Sequence, residues 1–501
     1  MSYRSRSKYL NPRENSVDDE KEVNESNQPN TMRRKSIHKS SSTDNNQSYR
    51  VYNSIYWRYI ILLLSLWIVV IHYYERTVVK RAMRNCEWSN WEKWPENAES
   101  YKVGLFADPQ IMDKYSYPGR LSVVNYATRL LLDNYHKRNW KFVQYYLDPD
   151  ASFFLGDLFD GGRYWEDDYW HAEYERFNRI FPKKPNRKTV MSIPGNHDIG
   201  FGDTIIESSL KRFSTYFGET STSLDLGNHT FVLLDTISLS DKQNMNISDI
   251  PKEFLNNFAN NEYPYPKVLL THVPLWRNPE YQKCGNMRES GKPFPLGKGD
   301  QYQTVIDEYI SQEVLTKIQP SILFSGDDHD YCQVTHSYHA NGESKIAEEI
   351  TVKSCAMNMG INRPAIQLVS LYNPQEKNLQ QKQDSNIKTY QTNICYLPDP
   401  YKPIKMYSIT ALISILLILY IHVFPKSFNK NVVENMEKIF KNRKAYSQLP
   451  LPVTASLNAN YWIEASNYQV FETKSKISLG IHCSILAALV LVVFTYYYSM
   501  L

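Results

Sequence analysis

The 501-residue sequence has little net charge, because its 57 lysines and arginines nearly balance its 53 aspartates and glutamates. The resulting charge of +4 gives no indication of a nucleic-acid partner, since such partners attract concentrated positive charge. Apolar clusters are almost absent from the first 50 residues, which are rich in Ser, Asn, Lys and Arg. A segment that cannot bury apolar surface does not fold alone, so we predict a disordered tail over residues 1–56.

The sequence also shows no pattern typical of a cleavable signal peptide. The first uncharged run, Tyr59–Tyr74, starts far from Met1, and no small-residue cleavage site follows it. We predict a membrane anchor over 57–74 and, from two later apolar runs, membrane-spanning helices over 404–424 and 477–498. The alternative for each run is a buried core helix.

Basic residues near these runs predict the orientation in the membrane. Six lysines and arginines lie between residues 426 and 444, whereas Lys402 and Lys405 are the nearest before the second span. Because basic residues favour the cytosolic side, we predict a cytosolic loop over 425–476 and a cytosolic N-terminal tail. Residues 75–403 then form a lumenal domain. Basic residues also follow the first span, so the charges around that span support this orientation less strongly than those around the second.

Cysteine is scarce, yet five of the six cysteines lie in the predicted lumenal domain. Oxidising compartments favour disulfides, so we expect one or two bonds, with the pairing left open. Two glycosylation sequons, headed by Asn228 and Asn246, lie in the same domain and would be usable there.

Residues 100–345 repeat a pattern of an apolar run, a polar cluster and often a helix-like stretch. This alternation predicts an α/β architecture with a buried sheet, in which ligands bind beyond the carboxyl ends of the strands. The runs are KVGLFA (102–107), ASFFLG (151–156), KTVMSIPG (188–195), TFVLLD (230–235), KVLLT (267–271) and SILFSG (321–326).

Oxygen and imidazole side chains follow five of these six runs. A single aspartate at a strand end commonly caps a turn, but five such clusters in succession indicate a polynuclear metal site gathered from separate loops. The clusters are Asp108-Pro109-Gln110, Asp157-Leu158-Phe159-Asp160, Asn196-His197-Asp198, His272 and Asp327-Asp328-His329.

The order of the motifs, D-x-(H/Q), G-D-x-x-D, G-N-H-D, H and G-(H/D)-x-H, resembles that of the calcineurin-like metallophosphoesterases from about Lys102 to Cys332. Gln110 and Asp327 stand where most members have histidine. These two departures occur within the stretches FADPQIMD and SGDDHDYC. Together with GDLFDGGR, these stretches resemble the branch of fungal cell-division-control proteins and their animal relatives. The resemblance implies a metallophosphoesterase-type β-sandwich flanked by helices, joined to about three transmembrane helices.

Members of that branch are membrane-anchored in the endoplasmic reticulum or early Golgi and remove ethanolamine phosphate from a mannose of the glycosylphosphatidylinositol (GPI) anchor. The resemblance therefore implies GPI-anchored proteins or GPI glycolipid as the substrate. It also implies His197 as general acid, oriented by Asp160, with Asp198 as a second orienting residue. It assigns Asp108, Gln110, Asp157 and His329 to a first divalent metal ion and Asp157, Asn196, His272 and Asp327 to a second.

Replacing two imidazoles by an amide and a carboxylate makes the ligand set richer in oxygen. Harder ligands favour manganese over zinc or iron, with magnesium as an alternative. We expect Asp328 and Asp330 to support the ligands or face solvent, and His336 and His339 to be ordinary strand or surface residues.

Two other functions stay open at this point. One is phosphoester hydrolysis of a different lumenal substrate, such as a lipid phosphate, a nucleotide or a phosphoprotein. The other is a catalytically silent membrane protein that binds GPI-anchored cargo or senses manganese. Neither the GPI mannose that is served nor the oligomeric state can be read from the sequence.

Overall fold

The computed structural model describes residues 55–374, 388–425 and 476–501. Apart from their end residues, the predicted tail (1–56) and the predicted cytosolic loop (425–476) lie outside the described residues. The strands are β1 Tyr101–Phe106, β2 Ala151–Phe154, β3 Lys188–Val190, β4 Thr222–Leu226, β5 His229–Leu233, β6 Lys267–Leu270, β7 Lys298–Gly299, β8 Tyr302–Gln303, β9 Ile322–Ser325, β10 Cys332–Ala340, β11 Glu343–Thr351, β12 Ala365–Leu371 and β13 Tyr390–Tyr396.

Helices fill the connections between strands and form the three apolar segments. The first helix continues into the second through a π-helical turn, Tyr73–Thr77. The helices are α1 Trp57–His72, α2 Val78–Asn85, α3 Ser122–Phe142, α4 Asp167–Ile180, α5 Asn196–Ile199, α6 Glu207–Phe217, α7 Thr236–Leu239, α8 Met245–Asn260, α9 Glu308–Ile318, α10 Tyr401–Val423 and α11 Lys476–Ser499.

Two sheets pack face to face. One has the strand order β13-β12-β1-β2-β3 and the other β10-β11-β9-β6-β5-β4. Alternate residues of β1, β2, β5, β6, β9 and β12 point into the space between the sheets, where the rings of Phe153 and Phe231 stack with centroids 4.8 Å apart. The next residues, such as Phe106 and Phe154, pack outward against the surrounding helices. The predicted sandwich flanked by helices is confirmed.

Parallel pairing places the loops of different strands at one edge of the sandwich. β1, β2 and β3 are parallel neighbours, as are β5, β6 and β9. Their carboxyl ends therefore lie together, which is where α/β sheets bind ligands. The sheets and the helices around them form the sandwich domain.

Two disulfides join segments of the sandwich domain. Cys86 pairs with Cys395 in β13, and Cys284 pairs with Cys332 at the start of β10. Cys355 is buried and free. The segment after Cys86 packs on the domain, since the Trp88 indole donates a hydrogen bond of 2.7 Å to the Leu147 carbonyl.

Three helical segments, Trp57–Asn85, Tyr401–Val423 and Ser478–Ser499, are long and apolar enough to cross a membrane. Polar contacts join them to one another: the Trp67 indole donates to the Ser414 hydroxyl at 3.1 Å, and His72 Nδ1 lies 2.9 Å from the Tyr497 hydroxyl. Apolar helices of this length are typical of a membrane protein.

A buried ion pair links these helices to the sandwich domain. Glu75, in the π-helical turn, accepts hydrogen bonds from Arg138 of α3 at 2.6 Å and from the Tyr407 hydroxyl of α10 at 2.9 Å. Both charged side chains are almost fully buried. The Glu75 carboxylate therefore joins the first apolar segment, which contains it, to α10 and to α3 of the sandwich domain.

Arg138→Ala should lower the stability of the protein by about 3–5 kcal/mol, because it leaves the Glu75 carboxylate buried without its cationic partner. Thermal unfolding in detergent would measure the change. Arg129→Ala is the matched control on the same helix, since Arg129 is more exposed and its partner Glu173 also pairs with Arg176. Equal losses from the two variants would contradict a linking role for Glu75.

Candidate metal centre

All seven residues predicted as metal ligands follow strands at the carboxyl-terminal edge of the sandwich. Asp108 and Gln110 follow β1, Asp157 follows β2, and Asn196 begins α5 after β3. His272 follows β6. Asp327 and His329 follow β9.

The loops approach one another closely. The main-chain N–H of Asp327 donates to Asp108 Oδ1 at 3.0 Å, and the N–H of His197 donates to Asp157 Oδ1 at 2.9 Å. A Cβ atom on Gly195 would lie 2.0 Å from Asp157 Oδ1. Only glycine therefore lets the Asn196 loop come this near to Asp157.

Imidazole and carboxylate groups meet at the centre of this edge. His272 Nε2 lies 3.5 Å from Asp157 Oδ1 and 3.6 Å from Asp327 Oδ1. Ligand atoms of Asp108, Asp157 and His272 all lie within 4.8 Å of one another, and the three residues are buried. Distances of this size allow one cation to contact several of these groups at once.

Five of the seven residues have a positive φ, a backbone conformation that residues other than glycine rarely adopt. Such conformations cost about 1–3 kcal/mol each and persist where surrounding structure enforces them, often at functional sites. They are Asp108 (φ 47°), Gln110 (35°), Asp157 (48°), Asp327 (67°) and His329 (65°).

Four buried atoms of these residues have no hydrogen-bond partner among the described residues. They are Asp108 Oδ2, Gln110 Oε1, Asn196 Oδ1 and His272 Nε2. Leaving a buried polar atom unpaired costs about 1–3 kcal/mol, so four at one place call for a ligand. Each can act as an electron-pair donor to a metal ion, His272 Nε2 after loss of its proton.

In three of these side chains, the other polar atom of the amide or imidazole makes a hydrogen bond that orients the group. The Gln110 amide donates to Asp160 Oδ1 at 2.9 Å, and the Asn196 amide donates to the Gln301 carbonyl at 3.2 Å. Nδ1 of His272 lies 2.6 Å from the carbonyl oxygen of Leu155 and so carries a proton. In each case the oxygen or the second ring nitrogen is left as the free donor.

The electrostatics of the centre also fit a bound cation. Burial raises the pKa of Asp108 well above its ordinary value. Burial alone would lower the pKa of His272, but Asp157 and Asp327 raise it to about 10. A proton on His272 thus partly balances the carboxylates in the metal-free protein, and a metal ion bound at Nε2 would replace it. Burial lowers the pKa of His329, which favours the neutral imidazole that metals bind.

His197, the predicted general acid, lies beside the centre. Its Nδ1 is 2.6 Å from the main-chain carbonyl of Asp160 and 3.5 Å from the Asp160 carboxylate. The shorter contact requires a proton on Nδ1, so the carbonyl is its principal orienting group and Nε2 is the atom left for chemistry. The Asp160 carboxylate contacts Gln110 as well, and therefore supports a predicted metal ligand.

Asp198, the second predicted orienting residue, holds the loops together. Its carboxylate accepts main-chain N–H groups of Gly195, Leu158 and Phe159 at 2.9–3.1 Å. Burial raises the pKa of Asp198 to about 7, in spite of these hydrogen bonds. It therefore fixes the position of Asn196 relative to the Asp157 loop.

The other acidic residues of the last motif pair with cations outside the centre. Asp328 pairs with Arg288, and Asp330 lies 3.0 Å from Lys353 Nζ. Neither contact reaches a predicted metal ligand, and both carboxylates are buried, so the structure shows them paired with basic side chains instead of facing solvent. His336 is a strand residue, as expected, but it is buried and lies 2.6 Å from Glu349.

Two supporting residues were missed by the sequence reasoning. Gln301 accepts the Asn196 amide through its main-chain carbonyl, and Arg163 donates to the Asn196 carbonyl at 2.9 Å. Arg163 belongs to the GDLFDGGR stretch and could have been noticed there. Gln301 acts through a main-chain group, for which no sequence signal exists.

The donor set of carboxylates, amide oxygens and imidazoles suits divalent metal ions of the harder kind. Residues 101–331 match the family model described as calcineurin-like phosphoesterase. The chain is also 61% identical over 448 residues to cell division control protein 1 of Saccharomyces cerevisiae, covering 89% of this chain and 91% of that protein. The chain belongs to the calcineurin-like metallophosphoesterases.

More distant animal relatives match as well. Metallophosphoesterase 1 of Mus musculus is 24% identical over 316 residues, which cover 58% of this chain and 72% of that protein. The Caenorhabditis elegans homologue is 24% identical over 395 residues, which cover 77% of this chain and 95% of that protein. The predicted fungal branch is therefore confirmed. The chain is a hydrolase of a family that uses divalent metals, with a cluster of residues that fits them.

Proposed function

We propose that this protein is a phosphodiesterase that removes ethanolamine phosphate from a mannose of the GPI anchor. The observation that carries the hydrolytic chemistry is the set of four unpaired, buried donor atoms aimed into one centre. The substrate follows from the similarity of the motifs, including Gln110 and Asp327, to the branch that remodels GPI anchors. The junction at Glu75 supports a membrane-bound substrate, because it holds the sandwich domain against the apolar helices.

The ligand assignment carries over from the resemblance. Asp157, which the resemblance assigns to both groups of ligands, would bridge two ions. Two bound divalent cations would polarise the phosphate oxygens and favour the hydroxide form of water near neutral pH. The first group is Asp108, Gln110, Asp157 and His329, and the second is Asp157, Asn196, His272 and Asp327.

His197 would donate a proton to the mannose oxygen as that oxygen leaves. The Asp160 carbonyl keeps a proton on Nδ1, so in the imidazolium form Nε2 carries the transferable proton. The hydrogen bond from the His197 N–H to Asp157 fixes the histidine to the ligand loop. The acid is thus positioned by the same carboxylate that would bridge the metals.

We also propose that the sandwich domain lies in the lumen of the endoplasmic reticulum or early Golgi. The two disulfides support an oxidising compartment. Asn246 is exposed and heads a sequon, so it would be accessible to glycosylation there. The basic residues between 426 and 444 support a cytosolic position for the following loop.

Analysis of GPI glycans tests the substrate. Purified full-length protein with Mn²⁺ should release ethanolamine phosphate from isolated GPI glycolipid, as followed by mass spectrometry. Cells without the protein should retain that group on a mannose. An unchanged glycan in both experiments, with hydrolysis of a generic phosphodiester intact, would reject the GPI substrate and leave a phosphoesterase with another substrate. Loss of all hydrolysis would point to a catalytically silent protein.

The metal preference gives a further prediction. Asp327→His should shift the preferred ion from manganese towards zinc, because it exchanges a carboxylate for an imidazole near His272. The positive φ of Asp327 is no obstacle, since His329 adopts a similar backbone conformation. Activity after chelation would be titrated with Mn²⁺ and Zn²⁺. An unchanged preference in a folded, metal-loaded variant would place Asp327 outside the ligand set.

A further inference from the structure

An apolar surface on the sandwich domain is exposed in the part of the chain that the structure describes. It consists of the side chains of Tyr115, Leu121, Val123, Val124, Tyr126 and Leu130, from the start of α3 and the loop before it. Leu121, Val123 and Tyr126 are 72%, 70% and 68% exposed. We call it the α3 apolar surface. Contiguous exposed apolar side chains mark an interaction site in a folded protein.

The α3 apolar surface continues an interface that the structure already contains. Further along the same helix, Leu131, Asn134 and Arg138 line the junction with Ile404 and Tyr407 of α10. Leu130 lies one turn before Asn134, and Tyr126 lies one turn before Leu130. Val123, Tyr126 and Leu130 therefore lie within about a quarter turn of the side of α3 that faces α10 at Asn134.

The charged residues within the segment that forms this surface are basic. From Lys114 to Leu132 the sequence contains Lys114, Arg120 and Arg129 but no acidic residue. Lys402 and Lys405 are exposed in the first turns of α10. Basic and aromatic residues around an apolar strip are typical of segments that lie in a lipid interface.

We propose that the α3 apolar surface is embedded in the membrane leaflet next to the sandwich domain. The side chains of Val123, Tyr126 and Leu130 would contact lipid, with the basic residues among the headgroups. A second copy of this chain or a segment of its own would be a different occupant. The continuity with α10 and the basic residues of the segment 114–132 favour lipid.

The position of this surface matters for the metal centre. Asp113, three residues after Gln110, is buried, and its carboxylate accepts the Tyr115 N–H at 2.5 Å and the Trp165 indole N–H at 2.7 Å. A rigid turn thus connects the first ligand loop to the α3 apolar surface. If the proposed function holds, the metal centre would receive its phosphodiester at the membrane surface, for example from the headgroup of a glycolipid.

Nitroxide labels measure the contact without any assay of activity. Cys483 is a second free cysteine and is only half-buried, so it would first be replaced by serine. The full chain would then be labelled at Val123→Cys or Tyr126→Cys and reconstituted in phosphatidylcholine vesicles. Ile346→Cys is the control, because Ile346 is also 72% exposed but lies in β11. Collision with apolar oxygen should exceed collision with a water-soluble nickel complex at 123 and 126. The control should show the reverse.

Two results would overturn the proposal. Nickel access at 123 and 126 equal to that at 346 would mean that the surface faces water. Protection from both oxygen and nickel would mean that protein covers it. These outcomes do not depend on the identity of the substrate.

Charge variants then test the link to the metal centre. Val123→Asp with Tyr126→Asp should slow hydrolysis of a phosphodiester lipid in vesicles several-fold and leave hydrolysis of a water-soluble phosphodiester unchanged. Ile346→Asp should change neither rate. Equal loss on both substrates would show damage to the centre and contradict a membrane-contact role. Failure of the proposed GPI activity alone would leave this comparison intact.

Discussion

Asp157→Asn is expected to abolish phosphoester hydrolysis and to remove most of the bound metal. The change is nearly isosteric, and the new amide oxygen can still accept the His197 N–H that Asp157 Oδ1 accepts at 2.9 Å. The fold should therefore survive. What is lost is a negative charge that both proposed metal ions would share, together with one oxygen donor.

Elemental analysis and a hydrolysis assay on the same preparation measure the two effects. Asp235→Asn is the matched control, since Asp235 is equally buried at the end of β5 on the same edge of the second sheet. Asp235 caps α7, where it accepts the Ser238 N–H at 2.9 Å, and has no predicted metal role. The control should retain its metal. Two tightly bound ions in Asp157→Asn would refute the bridging assignment.

His197→Ala should lower the rate by about 10²- to 10⁴-fold and leave the metal content close to normal, as expected for the loss of one positioned acid. The main-chain N–H of residue 197 still donates to Asp157 in the variant, so the ligand loop should keep its position. Rates and metal content would be measured on one preparation. Parallel loss of metal and activity would make His197 a ligand instead.

Asp160→Ala separates the two contacts of Asp160. It removes the carboxylate that accepts the Gln110 amide but keeps the main-chain carbonyl that contacts His197. We therefore expect weaker metal binding with the acid still in place. A substrate with a good leaving group, which needs no proton, should rescue His197→Ala and not Asp160→Ala. Rescue of both variants would assign the carboxylate to the acid.

The strands that carry the site were predictable because each lies in a short apolar run, and all but β3 are buried on both faces over most of their length. β10 was not predicted as a strand because it contains no continuous apolar run. Its buried and exposed residues alternate, and His336 is among the buried ones. A usable signal was present in the Asn341-Gly342 turn, where both residues have positive φ and join β10 to β11. β12 and β13 lie beyond the stretch in which the repeated pattern was sought.

The sequence by itself determined which residues could form a metal centre, since the ligand motifs follow apolar runs in a characteristic order. It also marked the three apolar segments, because length and composition suffice to recognise them. Only the tertiary structure decided which atom of each side chain faces the centre. Leu155, Gln301 and Asp160 orient His272, Asn196 and His197 through main-chain carbonyls. Every residue has such a carbonyl, so its partner depends on how distant segments pack and leaves no trace in the sequence.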